Sequence, residues 1–316
     1  MVSSNKFLRL LTGFSAALAL MVILLGAYTR LTGAGLGCPD WPGCYGQLTA
    51  PHTNEAIQNA NIAYPEAPVD IPKARTEMTH RYFAETLGLL ILVIGFLAYR
   101  QRALPIGLPL GLILLVIVQG LFGMWTVTLK LFPPVVMGHL LGGFATLSIL
   151  WLMWLGLQPA TPNPIDYPKP LKRFSLVVLM IVILQITLGG WTSANYAALS
   201  CLELPYCALS SWGAWQWGPE AIDYPARVTI HMMHRIGALI TVLSVCILST
   251  QLWKNCLYKF SILLLSLTFL QIGLGLLNVL LVLPLPIAVA HNGVAVLLLL
   301  SVISLNFKLQ KTPTHG

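Results

Sequence analysis

Charge is what this sequence has least of. Of its 316 residues, 9% are Asp, Glu, Lys or Arg and 57% are apolar, whereas an ordinary soluble domain is roughly 25% charged. So few charges cannot cover a water-facing surface, which argues against a soluble globular fold. The apolar residues collect in eight runs, near 10–29, 80–99, 107–127, 135–156, 173–193, 228–250, 260–281 and 287–305. Each is close to the ~20 residues that cross a bilayer. A cleavage site is lacking as well. Lys6 and Arg9 precede the first run as in a signal peptide, but the run is long and no small-x-small site closes it. The first run is therefore expected to stay as a helix. No Arg- and Ser-rich presequence of the mitochondrial kind is present, which favours a bacterial inner membrane.

The net charge of +8 invites a nucleic-acid partner, and its distribution excludes one. Eight helices leave both termini on one side of the lipid bilayer. That side holds Lys6, Arg9, Arg100, Arg102, Lys169, Lys172, Arg173, Lys254, Lys259, Lys308 and Lys311. The other side and its helix ends hold Arg30, Lys73, Arg75, Arg81, Lys130, Arg227 and Arg235, and every acid but Asp166. The basic excess is a positive-inside signal, with both termini cytoplasmic.

The chain also repeats itself. Cys38 and Cys44 are six apart, as are Cys201 and Cys207, and Gly26 and Gly189 each precede the first cysteine by 12. His80-Arg81 opens the second run and His234-Arg235 the sixth. Gln119 lies 20 before His139, and Gln271 lies 20 before His291, with Pro133-Pro134 and Pro284-Leu285-Pro286 between them. Such an ordered set implies duplication of a four-helix unit. Four is even, so both halves enter the membrane from the same side and the repeat is parallel. The expected fold is an all-α integral membrane protein, eight transmembrane helices forming two parallel pseudo-symmetric four-helix bundles. Residues 1–156 are the first bundle, 157–172 a cytoplasmic linker and 173–316 the second bundle. Four-helix bundles commonly hold cofactors between facing helices.

Five of the seven histidines, His80, His139, His231, His234 and His291, cluster at the ends of even-numbered helices on the outer side. His52, in a polar loop, and His315, in the tail, read as solvated. A single membrane histidine is as well explained by packing against a carbonyl. Four at equivalent repeat positions point to metal ligands. Two imidazoles per half suit the axial positions of a haem iron. A structural zinc wants four ligands, usually with thiolates. The run Glu77-x-x-His80 resembles a di-iron bundle motif, but its partner run is His231-x-x-His234 and the further glutamates are missing. Haem is the better reading.

Arg81 and Arg235 follow two of the ligand candidates. They fit a fork onto haem propionates and equally well a pair of snorkelling arginines. Arg30 has Ser193 as its counterpart and is a weaker propionate candidate. CxxC spacing is lacking, so Cys38/Cys44 and Cys201/Cys207 are expected as two disulfides in oxidising outer loops, against a redox or thiolate role. Cys246 and Cys256 are expected to be reduced. Trp212, Trp215 and Trp217 fit an interfacial aromatic belt or a lid over a haem.

The stretch Gly26-Ala27-Tyr28-Thr29-Arg30-Leu31-Thr32-Gly33 through Gly37-Cys38-Pro39-Asp40-Trp41-Pro42-Gly43-Cys44 resembles the first outer loop of the haem A synthase family. Glu77-x-x-His80-Arg81, Gly138-His139, His234-Arg235 and His291-Asn292-Gly293 extend the resemblance over all eight helices. It implies oxidation of the haem O methyl group to a formyl group, giving haem A for cytochrome oxidase. It also implies haem b as cofactor on His234 and His291, haem O as substrate between His80 and His139, and Glu77 as the essential acid. An electron donor and a haem O synthase are the implied partners.

The residues support that division on their own. The repeat keeps all four ligand positions but sets Glu77 against His231, which suggests chemistry in one half and electron storage in the other. A carboxylate one turn from a ligand can move a proton, or can simply favour the positive start of a helix. Two rival functions use the same histidines. A di-haem b-type electron-transfer protein wants haems near both faces, whereas these ligands lie toward one. A haem transporter or chaperone wants a path that a parallel repeat does not supply.

Overall fold

A computed structural model of the chain describes residues 2–159, 165–215 and 222–310, and among them it is all-helical apart from an isolated bridge between Cys44 and Gln47. The helices are α1 (Val2–Leu31), α2 (Asn54–Ala63), α3 (Ile71–Gln101), α4 (Gly107–Thr128), α5 (Pro133–Gly156), α6 (Lys169–Ala194), α7 (Tyr224–Lys254), α8 (Tyr258–Leu280) and α9 (Leu285–Gln310). All but α2 are long and apolar enough to cross a membrane, one for each run in the sequence. The chain falls into two compact units, Met1–Met153 and Trp154–Gly316. Residues 160–164 of the expected linker, Trp217, Lys311 and His315 lie outside the described residues.

Two helices start earlier than hydropathy suggests. The second apolar run begins at 80, but α3 begins at Ile71; the sixth begins at 228, but α7 begins at Tyr224. Both starts are built alike. Asp70 accepts from the Lys73 amide at 3.1 Å, and Asp223 accepts from the Ala226 amide at 2.8 Å. Pro72 and Pro225 sit in the first turn, where a missing N–H costs nothing. The Lys73 amide holds the Asp70 carboxyl below the usual carboxylate range. His80 and Glu77 therefore lie inside α3 and do not open it. The short α2, capped by Thr53, has no apolar run to announce it.

The turns into α5 and α9 are also alike. Lys130 and Leu131, then Val282 and Leu283, all take the left-handed conformation, which costs a non-glycine residue about 1–2 kcal/mol. In return, the Leu131 amide reaches the Thr126 carbonyl at 2.8 Å and the Leu283 amide reaches that of Asn278 at 2.7 Å. The expected proline turns lie directly after these residues and start the next helix.

Inside the first unit, α1 packs on α3, α3 on α4, and α4 on α5. Inside the second, α6 packs on α7 and α9, and α8 on α7 and α9. A buried polar pair ties α6 to α9 at the ends away from the disulfide loops. The Ser175 hydroxyl donates to Asn306 Oδ1 at 2.8 Å, and Asn306 Nδ2 donates to the Ser175 carbonyl at 3.1 Å and to that of Val302 at 2.9 Å. Removing one side of a buried pair strands the other, at about 1–3 kcal/mol. Asn306→Ala should lower the melting temperature of the detergent-solubilised protein. Asn306→Ala with Ser175→Ala should cost less than the sum of the two, and strict additivity would show that the pair is not coupled.

Candidate haem-binding site

Each of the four ligand candidates lies edge-on against a glycine of a neighbouring helix. A Cβ built on Gly26 would stand 3.0 Å from His80 Cε1, and one on Gly189 would stand 3.0 Å from His234 Cε1. The corresponding distances are 3.2 Å from Gly275 to His291 and 3.5 Å from Gly123 to His139. At 3.0–3.2 Å the ring would have to yield, so Gly26, Gly189 and Gly275 need a hydrogen on the facing helix, while at Gly123 a methyl group would be in ordinary contact. From the sequence, Gly26 and Gly189 served only as landmarks of the repeat. Gly123 and Gly275, each at the same distance before its histidine, passed unnoticed although the repeat marks them.

The turn before each glycine supplies the second half of the cradle. The rings of His80, His139 and His291 lie near the main-chain carbonyls of Val22, Gln119 and Gln271, each four residues before the facing glycine. In these three the Nδ1 atom is buried without a hydrogen-bond partner. Gln119 Nε2 also donates to the His139 carbonyl at 2.9 Å.

The two rings of the first unit face one another. His80 and His139 have centroids 6.5 Å apart and planes at 82°. A metal–imidazole bond is about 2.0–2.1 Å and a ring nitrogen lies about 1.1 Å from its centroid, so two imidazoles on opposite sides of one metal sit roughly 6.3 Å apart. The observed separation fits that arrangement. Among the described residues no cluster of three or more His, Cys, Asp or Glu is placed to hold a metal ion. The donor sets are thus pairs, which suits haem and not a four-ligand zinc or a carboxylate-rich di-iron site.

Above each histidine pair sits a disulfide loop, and an arginine holds it down. The disulfides are Cys38–Cys44 and Cys201–Cys207. Arg81 Nη1 donates to the carbonyls of Asp40 at 3.1 Å, Pro42 at 3.2 Å and Gly43 at 2.5 Å. Arg235 Nη1 donates to those of Glu203 at 2.6 Å and Pro205 at 3.3 Å, the positions in its own loop that match Asp40 and Pro42. The sequence left these arginines between propionates and snorkelling. Their guanidinium groups are engaged with loop carbonyls, and Arg81 is buried. The signal for this role was an arginine directly after the ligand histidine in both halves, each following a loop with cysteines six apart.

Glu77 belongs to the same clamp. Its Oε2 accepts from the Cys38 amide at 2.9 Å, and its Oε1 meets Arg81 Nη2 at 2.5 Å, the group being only 4% exposed. It lies in the second turn of α3, so a helix-start dipole role explains it less well than these two contacts. In the second unit His231 replaces it, also buried, and Arg235 Nη2 turns instead to the Cys201 carbonyl at 2.5 Å. Arg30 occupies the last turn of α1. Trp212 Nε1 donates to the Cys207 carbonyl at 3.3 Å, while Trp215 stacks on buried Trp191 with centroids 6.1 Å apart. These contacts hold both tryptophans against the second loop and α6. His52 is exposed, and Cys246 and Cys256 are free thiols.

Comparison with known proteins agrees with this geometry. Residues 9–303 match the COX15-CtaA family, described as cytochrome oxidase assembly proteins. A heme A synthase of Shewanella oneidensis is 46% identical over 310 residues, covering 91% of this chain and 92% of that protein. Heme A synthases of Granulibacter bethesdensis and Brucella ovis are 28% and 24% identical, each over 90% of this chain and over 82% and 86% of their own lengths. A match over nearly the whole chain, on a membrane-spanning scaffold with paired histidines, settles the family: the chain belongs to the COX15-CtaA family.

Proposed function

We propose that the chain is a haem A synthase, a membrane oxidoreductase that replaces two hydrogens of the haem O methyl group with one oxygen to give the formyl group of haem A. The observation that carries this reading is the His80–His139 pair, spaced for two imidazoles on one iron, in a chain 46% identical to a heme A synthase. Haem O, the substrate, is assigned to His80 and His139 in the first four-helix bundle, and haem b, the cofactor, to His234 and His291 in the second. Haem b would supply an iron that changes oxidation state and so stores an electron.

The protein's own residues do the positioning. Gly26, Gly123, Gly189 and Gly275 let the ligand helices approach, and Nε2 of each ring is assigned to iron. Arg81 and Glu77 fix the first disulfide loop over the substrate pair, limiting water there. Glu77, one turn from His80, is the acidic group nearest that ligand along α3, which supports a role in handling protons during the oxidation. Arg81 and Arg235 are assigned to the haem sites through the loops they hold. The charge pattern supports an inner-membrane protein with cytoplasmic termini and haems toward the outer face. The reaction also requires an electron donor, and a haem O synthase to make its substrate.

Three sets of variants test these assignments. His234→Ala or His291→Ala should abolish the low-spin haem b spectrum of the purified protein; survival of the spectrum in both would reverse the assignment of halves. Gly189→Leu should do the same by displacing His234, and a normal spectrum would show that the glycine does not set the ring. Glu77→Gln keeps an acceptor for the Cys38 amide but loses the ion pair. It should retain haem b while haem A formation falls strongly and haem O or its alcohol accumulates. Haem A formed at the normal rate would make Glu77 dispensable.

A further inference from the structure

The four histidine sites differ at one place. The Nδ1 atoms of His80, His139 and His291 are buried without a hydrogen-bond partner, but that of His234 meets a side chain. Gln185, four residues before Gly189, brings its Nε2 to 3.1 Å from His234 Nδ1 and to 3.0 Å from the His234 carbonyl. Its Oε1 is buried without a hydrogen-bond partner. Room for the amide comes from Gly237, where a Cβ would stand 2.2 Å from that oxygen. By the offsets of the repeat, Val22 and Phe83 occupy the matching positions in the first half. A glutamine and a glycine thus replace a valine and a phenylalanine together. Gln119 and Gly142 form a like pair beside His139, but there the ring Nδ1 has no hydrogen-bond partner, whereas His234 Nδ1 meets the amide of Gln185.

An imidazole bound to iron through Nε2 carries its proton on Nδ1. That N–H would then face an amide nitrogen, donor against donor, while an acceptor of the same amide goes unused. Rotation about the last glutamine torsion, which is soft, turns Oε1 to Nδ1–H. It gives up the bond from Nε2 to the His234 carbonyl, a cost set against the bond gained from the ring N–H of an iron-bound imidazole. A hydrogen bond accepted from Nδ1–H makes the imidazole a stronger electron donor to its metal and favours the oxidised iron.

We propose that Gln185 is a positioning residue for His234, accepting the Nδ1 proton through Oε1 and lowering the reduction potential of the haem held there, a control that the His80 site lacks. This rests on the assignment of haem b to His234 and His291. The test is redox titration of haem b in the purified, haem-loaded protein. Gln185→Leu keeps the volume and removes the acceptor, and the midpoint potential should rise. Gln185→Glu offers a stronger acceptor, and the potential should fall; if that variant does not assemble, the Leu variant decides alone. An unchanged or lowered potential in Gln185→Leu overturns the proposal. If haem b survives His234→Ala, the underlying assignment falls and this proposal with it. If haem b is lost there but Gln185→Leu leaves the potential unmoved, only the role of Gln185 falls.

Discussion

An imidazole ring set among apolar helices must be met closely at its Cε1 edge, and here a glycine meets it. The contact recurs at Gly26–His80, Gly123–His139, Gly189–His234 and Gly275–His291. It fixes how near α1 comes to α3, α4 to α5, α6 to α7 and α8 to α9. Helix spacing and ligand direction are thereby one constraint. A side chain at Gly26, Gly189 or Gly275 moves both, because a close-packed interior has little slack to absorb it.

The loops depend on the same helices. Arg81 follows His80 and Arg235 follows His234, so the residue that directs a ligand and the residue that holds a loop are neighbours on one turn. Each guanidinium satisfies carbonyls that a disulfide loop leaves without a ladder. The halves differ where Glu77 gives way to His231. The first loop is tied by a carboxylate to its Cys38 amide, and the second by an arginine to its Cys201 carbonyl. Glu77 in one half against His231 in the other is the chemical asymmetry between two otherwise similar sites.

Much of this was legible in the sequence because it is written in periodicity and spacing. The eight apolar runs appear as eight long helices, and the cysteines six apart are the pairs that the structure joins. Polar helix turns were not legible. Asp70-Ile71-Pro72 and Asp223-Tyr224-Pro225 start α3 and α7 through capping, which hydropathy does not register. α2, with alanines, asparagines and a glutamine, gave no apolar signal. The partners of Arg81 and Glu77 were hidden because they are main-chain groups of a loop, and sequence shows side chains. Gln185 was hidden for a different reason: a search for what the halves share passes over what only one of them has.

The account rests on two histidine pairs of one build that serve different haems. Extraction of the pigments from the purified protein, with each haem identified by mass, tests this most directly. Haem b together with haem O or haem A is the result the account predicts. Haem b alone, at two per chain, would contradict it and make the protein a di-haem electron carrier.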